Sequence, residues 1–342
     1  MAAVSGGGDR IRVCIAGFGG RGVEQIDALI GGDGAWDVVG VADRSAIAYG
    51  RLQARYYDRR IPVVRRAADL VAFEPDAVLV STTAAAHLPV SLELLEAGYE
   101  GALLIEKPVA SSVAAARRLR EATGGGWPGR AAVDFQRRCS RMYAEASGVL
   151  ASGELGRVRS IHYTAETPQR ISMDCSHQVD LANWLASARP TKVAARLEAD
   201  ASVDRRGAFY FDPAGVVDVE YDSGAAFRLD TTGSREDAGL SVVCEHGTLS
   251  VDHSEQAVVV AGPDGGRTIP TDVEVRTRMT AWFESTLRAL TVGQDGLRPC
   301  TVEEAVSDLE VVVAAFISND RGGVPVPLPL APAEAELELR IA

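Results

Sequence analysis

"RVCIAGFGGRG", Arg12 to Gly22, is an apolar run that breaks into glycines and leads into Val23–Ile30, whose apolar residues recur at helical spacing. The run reads as a strand, since small and β-branched residues follow one another without a polar interruption. Gly17, Gly19, Gly20 and Gly22, with Phe18 and Arg21 between them, fit the spacing GxGxxG. In a chain with 34 glycines that spacing alone is weak. Its position decides the reading: a strand precedes it, a helix follows, and a second strand, Asp37–Ala42, runs into Asp43. An acid about 20 residues beyond the glycines completes the dinucleotide-binding pattern. The glycines let backbone approach a pyrophosphate, and the helix N-terminus supplies N–H groups and positive potential. Asp43 suits the adenosine ribose hydroxyls, which favours NAD; Arg44 beside it suits a 2′-phosphate, which keeps NADP as the alternative.

Working outward, short apolar runs alternate with helical patterns as far as residue 135. Ile61–Val64, Ala77–Ser81, Ala102–Ile105 and Ala131–Phe135 read as further strands, with helices over His87–Ala97 and Val113–Ala122. Continuous apolar strands alternating with helices predict a doubly wound parallel sheet covered on both faces. Beyond Gln136 the rhythm changes. Helices over Met142–Ala151 and His177–Ala186 flank a strand at Val158–Ala165. Longer alternating segments follow: Lys192–Glu198, Val216–Tyr221, Ala225–Asp230, Leu240–Glu245, Thr248–Asp252 and Ala257–Ala261. That alternation predicts a largely antiparallel open sheet with one buried face. Glu274–Leu290 and Thr301–Asn319 read as closing helices. The expected division is a Rossmann domain over 9–135, an α+β domain over 136–330 and a loosely held tail over 331–342.

With 342 residues, two domains at roughly 100–200 residues each is the natural division. The balance of 35 basic against 47 acidic side chains, net −12, argues against a nucleic-acid partner. No apolar run approaches the roughly 20 residues of a membrane span. Five scattered cysteines without a CxxC pair point away from a disulfide framework or a zinc knuckle, and toward the cytoplasm. His162, His246 and His253 lack partners at metal-ligand spacing, so no metal is assigned. Trp184 and Trp282 fall at helical spacing with leucines and read as core.

The chain contains only two lysines, Lys107 and Lys192. Lys107 closes the fifth strand in "LLIEKPVASS", at the carboxyl edge where open α/β sheets bind ligands. Pro108 lacks an N–H and biases Lys107 toward an extended conformation. A surface charge is the plain reading. The alternative is a titratable ammonium that arginine cannot replace.

In order and spacing, "GFGGRG", "STTAAAH" (Ser81–His87) and "EKP" (Glu106–Pro108) resemble the glucose–fructose oxidoreductase, inositol dehydrogenase and rhizopine-catabolism family, Gfo/Idh/MocA. "FQRR", "SGELGRV" and "DCSHQVDLANWL" carry the resemblance into the second half. It implies hydride transfer between nicotinamide and a hydroxyl-bearing carbon of a sugar, cyclitol or related polyol. It also implies an open sheet that supports a homodimer or homotetramer. By the same resemblance Lys107 and His177 are catalytic, and Thr82, Thr83, His87, Glu106 and Lys107 lie along the cofactor. His87 reads equally well as the first residue of a helix with no ligand role. Met173 holds the place where many members carry an acid, so Asp174, three before His177, is the candidate that orients the ring.

Histidine titrates near neutral pH and a carboxylate can hold its tautomer, which suits Asp174 and His177 to acid–base work. His177 and Asp180, three apart on a helix, share a face, so Asp180 is assigned to substrate hydroxyls with Lys107, Asp174 and His177. Arg137 and Arg138 follow the sixth strand, where the family often carries an arginine near the substrate. Arg138 is assigned there as a fork for a carboxylate or phosphate, and a surface pair at a domain junction is the equal alternative. Two other functions remain: an enzyme with tightly held NAD that oxidises transiently to assist elimination or glycoside cleavage, and a regulatory protein without turnover. A proton-transfer set counts against the latter.

Overall fold

Val, Ile, Leu and Ala fill the first strands almost exclusively, so each strand can be buried on both faces. Such strands need helices on either side. A computed structural model describes residues 10–32, 34–124, 130–198, 210–233, 238–252, 256–271, 278–293 and 297–341. Ile11–Ala16 (β1), Trp36–Ala42 (β2), Val63–Val64 (β3), Ala77–Val80 (β4), Ala102–Ile105 (β5) and Ala131–Val133 (β6) pair in parallel, in the order β6-β5-β4-β1-β2-β3. The helices are Gly20–Gly31 (α1), Ala46–Arg55 (α2), Ala84–Glu96 (α3) and Val113–Gly124 (α4). The order turns around at the β1/β4 pair, and the crevice beyond such a switch point is where ligands bind. Val13, Ile15, Leu79 and Ile26 have no exposure at all. Each side chain of this kind stabilises the fold by about 1.5–3 kcal/mol on burial.

The chain divides into two compact units. The first runs through Ala110 and includes Ala115–Gln136 and Arg276–Val302. The segment near its end, expected in the second domain, returns to the first sheet. Cys300–Thr301 pairs antiparallel with β6, Cys300 opposite Val133, and Phe283 and Leu287 join the core around Ile26 and Leu29. Sequence periodicity marks that helix without saying which sheet it covers. The side chain of Trp282, and all of His253, lie outside the described residues.

In the second unit Arg141–Ala151 (α5) and Ser176–Ala186 (α6) pack on a nine-stranded sheet. Its strands are Val158–Thr164 (β7), Pro190–Leu197 (β8), Gly215–Tyr221 (β9), Ala226–Asp230 (β10), Gly239–Cys244 (β11), Thr248–Asp252 (β12), Ala257–Gly262 (β13) and Gly265–Pro270 (β14). They run in the order β14-β13-β12-β11-β7-β10-β9-β8, with Val326–Pro327 beside β8. Every pair is antiparallel except β7 with β10. The alternation works as expected. Val217, Val219 and Tyr221 are buried while Asp218 and Glu220 are exposed. On that outer face Lys192 pairs with Glu220 at 2.7 Å and Arg228 with Asp218 at 2.8 Å.

The tail departs from expectation. Leu339 and Ile341 are buried, the Leu339 N–H donates to the Ser111 carbonyl at 2.9 Å, and Arg340 lies over the Phe211 ring. The alternation of "LELRI" gives the segment one apolar face, of which Leu339 and Ile341 are docked while Leu337 is exposed. Among the described residues no helix is long and apolar enough to cross a membrane.

Candidate active site

Two of the four loop glycines are dictated by the chain itself. Gly17 has φ +105°, and a Cβ there would stand 2.7 Å from the Ser81 carbonyl oxygen. A Cβ on Gly22 would collide with the Gly17 carbonyl. Gly19 and Gly20 are different, because a Cβ on either meets nothing within 4 Å. Their bareness leaves a cradle open beside the first turn of α1, which no side chain caps. Uncapped N–H groups at a helix start, reached over bare glycines, fit a pyrophosphate. Asp43 ties this loop to the end of β2. Its Oδ2 accepts the Phe18 N–H and its Oδ1 the Ser45 N–H, both at 2.8 Å. Each carboxylate oxygen keeps a further lone pair for a ribose hydroxyl. Arg44 beside it is exposed. The Phe18 side chain is 2% exposed and packs edge-on against Tyr56.

Arg21 is engaged by acidic groups at the ends of neighbouring strands. Its guanidinium turns beneath the loop, donating to Glu106 Oε1 at 2.5 Å and to Asp134 Oδ2 at 2.8 Å. Gln25 Nε2 donates to the same Glu106 oxygen at 2.8 Å, and the Ser81 hydroxyl donates to Gln25 Oε1. Glu106 Oε2 accepts the Lys107 N–H at 3.2 Å. A polar belt thus joins α1 to the ends of β4, β5 and β6, with Lys107, half-buried, at its rim. Glu106, expected along the cofactor, is buried within it. Burial works to raise the Glu106 pKa, and the Arg21 guanidinium overcomes this and holds it below the usual carboxylate range. Burial and then the Glu106 charge push Asp134 up to about 7, against the pull of Arg21.

His87 sits in the first turn of α3, 1% exposed. Its Nδ1 lies 3.0 Å from the Pro108 carbonyl oxygen and its Nε2 3.2 Å from that of Thr82. Burial lowers its pKa, opposed by the Glu106 charge. A neutral ring has one N–H and donates to one of these two carbonyls at a time, so the imidazole packs between the loops after β4 and β5 and is tied to one of them by a hydrogen bond. Thr82 and Thr83 stand at that loop, partly and fully exposed.

In the second unit His177 occupies the first turn of α6, 9% exposed. Asp174 holds Arg170: Oδ2 accepts from the backbone N–H at 3.1 Å and from Nε at 2.9 Å, and Oδ1 from Nη2 at 2.7 Å. Asp180, assigned to substrate hydroxyls, is fully buried. Arg138, assigned likewise, is 1% exposed. They meet each other instead, Arg138 Nε donating to Asp180 Oδ1 at 2.8 Å and Nη1 to Glu304 at 2.9 Å, with the guanidinium over the Trp184 ring. Burial, and the negative Asp180 beside it, push Asp308 well above the carboxylate range. This is a buried polar core behind the helix, because a charge excluded from water must be paired. Asp134, Asp308 and Glu304 escape sequence reasoning, since no spacing rule connects them with partners so distant along the chain.

Residues 11–124 match the Gfo/Idh/MocA oxidoreductase family, described by its NAD-binding Rossmann fold. Inositol 2-dehydrogenase 1 of Saccharopolyspora erythraea is 27% identical over 327 residues, 86% of this chain and 92% of that protein. Among solved structures, an oxidoreductase from Sinorhizobium meliloti is 15% identical, with a TM-score of 0.79 over 93% of this chain and 100% of the other. The myo-inositol dehydrogenase of Lactobacillus casei, solved with NAD(H) and myo-inositol, is 16% identical, with a TM-score of 0.73 over 96% of this chain and 100% of the other. The uncapped helix and bare glycines therefore lie within the stretch that matches the NAD-binding Rossmann fold of that oxidoreductase family.

Proposed function

We propose that the chain is an NAD-dependent dehydrogenase of a cyclitol, sugar or related polyol, oxidising a CH–OH group to a ketone. The observation that carries this reading is the carboxyl edge of the first sheet. There the open cradle at Gly19 and Gly20 and the braced Lys107 lie on one rigid frame. NAD, when bound, accepts the hydride that the carbinol carbon gives up. Gly19, Gly20 and the first turn of α1 hold the pyrophosphate, and Asp43 takes the adenosine ribose. The hydroxyl proton passes to Lys107 or to His177, which titrate without leaving a permanent charge as arginine would. The inositol 2-dehydrogenase relative puts cyclitols first among the substrates to try. The open sheet of the second unit supports a homodimer or homotetramer. Five cysteines, all free and buried, suit a reducing cytoplasm.

The test is a panel of inositols, aldoses and sugar acids with NAD and with NADP, followed at the absorbance of the reduced nicotinamide. Steady accumulation of NADH with one polyol is the expected result. Turnover of a substrate without net NADH would place the chain with enzymes that oxidise transiently, and no turnover across the panel would overturn the reading.

A further inference from the structure

Arg21 is shared. One guanidinium faces the Glu106 carboxylate on β5 and the Asp134 carboxyl beyond β6, and it cannot neutralise both when both are ionised. Glu106 passes the arrangement on to Lys107, accepting its backbone N–H and feeling the charge of its ammonium. We propose that Asp134, acting through the guanidinium it shares with Glu106, is a tuning residue for the charge of Lys107.

Charge balance among buried groups sets the effect. With Asp134 protonated, Arg21 and Glu106 cancel and Lys107 stands beside a neutral cluster. With Asp134 ionised, the cluster carries one net negative charge, which favours the ammonium over the amine. Asp134 is 1% exposed, so water screens little of that charge. Every titratable group facing the cluster takes part in this balance. Arg21 comes from α1, with Glu24 on its outer nitrogen at 3.2 Å; Glu106 and Lys107 come from the end of β5; His87 comes from α3. Gln25 and Gln136 add neutral contacts, and the Phe283 ring lies 5.8 Å from the Arg21 guanidinium. Asp134 is pushed up to about 7, so the balance tips in the range where a lysine acting as a base must shed its proton. Raising the pH through that range charges Asp134 and holds the proton on Lys107. The consequence for turnover rests on the proposed role of Lys107, whereas the effect on its titration does not.

Lys107 and Lys192 are the only lysines, so competitive acetylation with trace acetic anhydride, read peptide by peptide in a mass spectrometer, reports Lys107 against an internal reference. Lys192 belongs to the second unit and pairs with Glu220. In the parent protein the ratio of Lys107 to Lys192 acetylation should fall at least about threefold as pH rises from about 6 to about 8. In Asp134→Asn, where the side chain cannot ionise, the ratio should stay flat. A flat ratio in the parent, or the same fall in both proteins, overturns the proposal. If Asp134→Asn does not fold, the parent curve decides by itself. Turnover of Lys107→Ala tests the role of the lysine separately, because the labelling requires no substrate.

Discussion

Lysine at position 107 stands out because arginine supplies nearly every other positive charge in the chain. A side chain serving only as surface charge tolerates Lys→Arg within about 0.5 kcal/mol. One that gives or takes a proton does not, since guanidinium is planar, larger and permanently charged. Lys107→Arg and Lys107→Ala are therefore expected to bind NADH nearly as the parent does and to lose at least about a hundredfold in turnover. His177→Ala should fall similarly. Parent-level turnover by Lys107→Ala would return the lysine to the surface and leave the chemistry to His177. Asp43 presents a second residue-scale test. Its carboxylate anchors the Phe18 and Ser45 N–H groups, so Asp43→Ala should weaken NADH and NADPH together. The informative quantity is the ratio of their dissociation constants. We expect the parent to prefer NADH and the variant to lose that preference. A parent that prefers NADPH would assign the choice to Arg44.

At the scale of elements, β1, its glycine turn and α1 form one local unit, and locality is why they were legible in the sequence. The strand, the glycines and the helix determine one another within about 20 residues. Arg21 was legible as a loop residue and illegible as the shared partner of two buried carboxyl groups, because Glu106 and Asp134 lie 85 and 113 residues further on. The Phe18 ring packs against Tyr56 from beyond α2, a contact that no local pattern announces. Asp180 and Arg138 looked like substrate ligands because charged residues on a helix face and after a strand usually face water. Here each satisfies the other away from it. The two kinds of glycine in the turn can be separated by experiment. Gly22→Ala drives a methyl group into the Gly17 carbonyl, and strained overpacking of this kind costs about 1–3 kcal/mol or more. Gly20→Ala meets open space on the first turn of a helix, where alanine is favoured over glycine by up to about 1 kcal/mol. Gly20→Ala should therefore melt at or above the parent temperature yet bind NADH at least about tenfold more weakly, since the methyl occupies the approach to the pyrophosphate. Unchanged NADH affinity in a folded Gly20→Ala protein would remove the cradle from the binding site.

For the molecule as a whole, the two classes of sheet were readable from periodicity, whereas the allegiance of the segment Arg276–Val302 was not. An amphipathic helix advertises an apolar face but not the sheet it will cover. The same ambiguity governs the outer face of the second sheet. Across β8, β9 and β10 that face is ionic, with Lys192, Glu220, Asp218 and Arg228 paired across strands. Toward β11 and β13 it changes character, and Val243 and Val259 are each 37% exposed. β14 ends the sheet with an exposed edge, a row of backbone groups open to pairing. Ion pairs on one part of a face and two exposed valines among small polar residues on another suit a self-complementary contact closed by two-fold symmetry. A stable contact of this kind buries about 1,200–2,000 Å² in total. Light scattering at micromolar protein should accordingly give two or four times the chain mass of 36.1 kDa. Val259→Arg, which sets a charge in place of one of these exposed valines, should release monomers that still melt cooperatively. A parent protein of monomer mass would show that the outer face is covered by water alone, and that the valines are ordinary exposed strand residues.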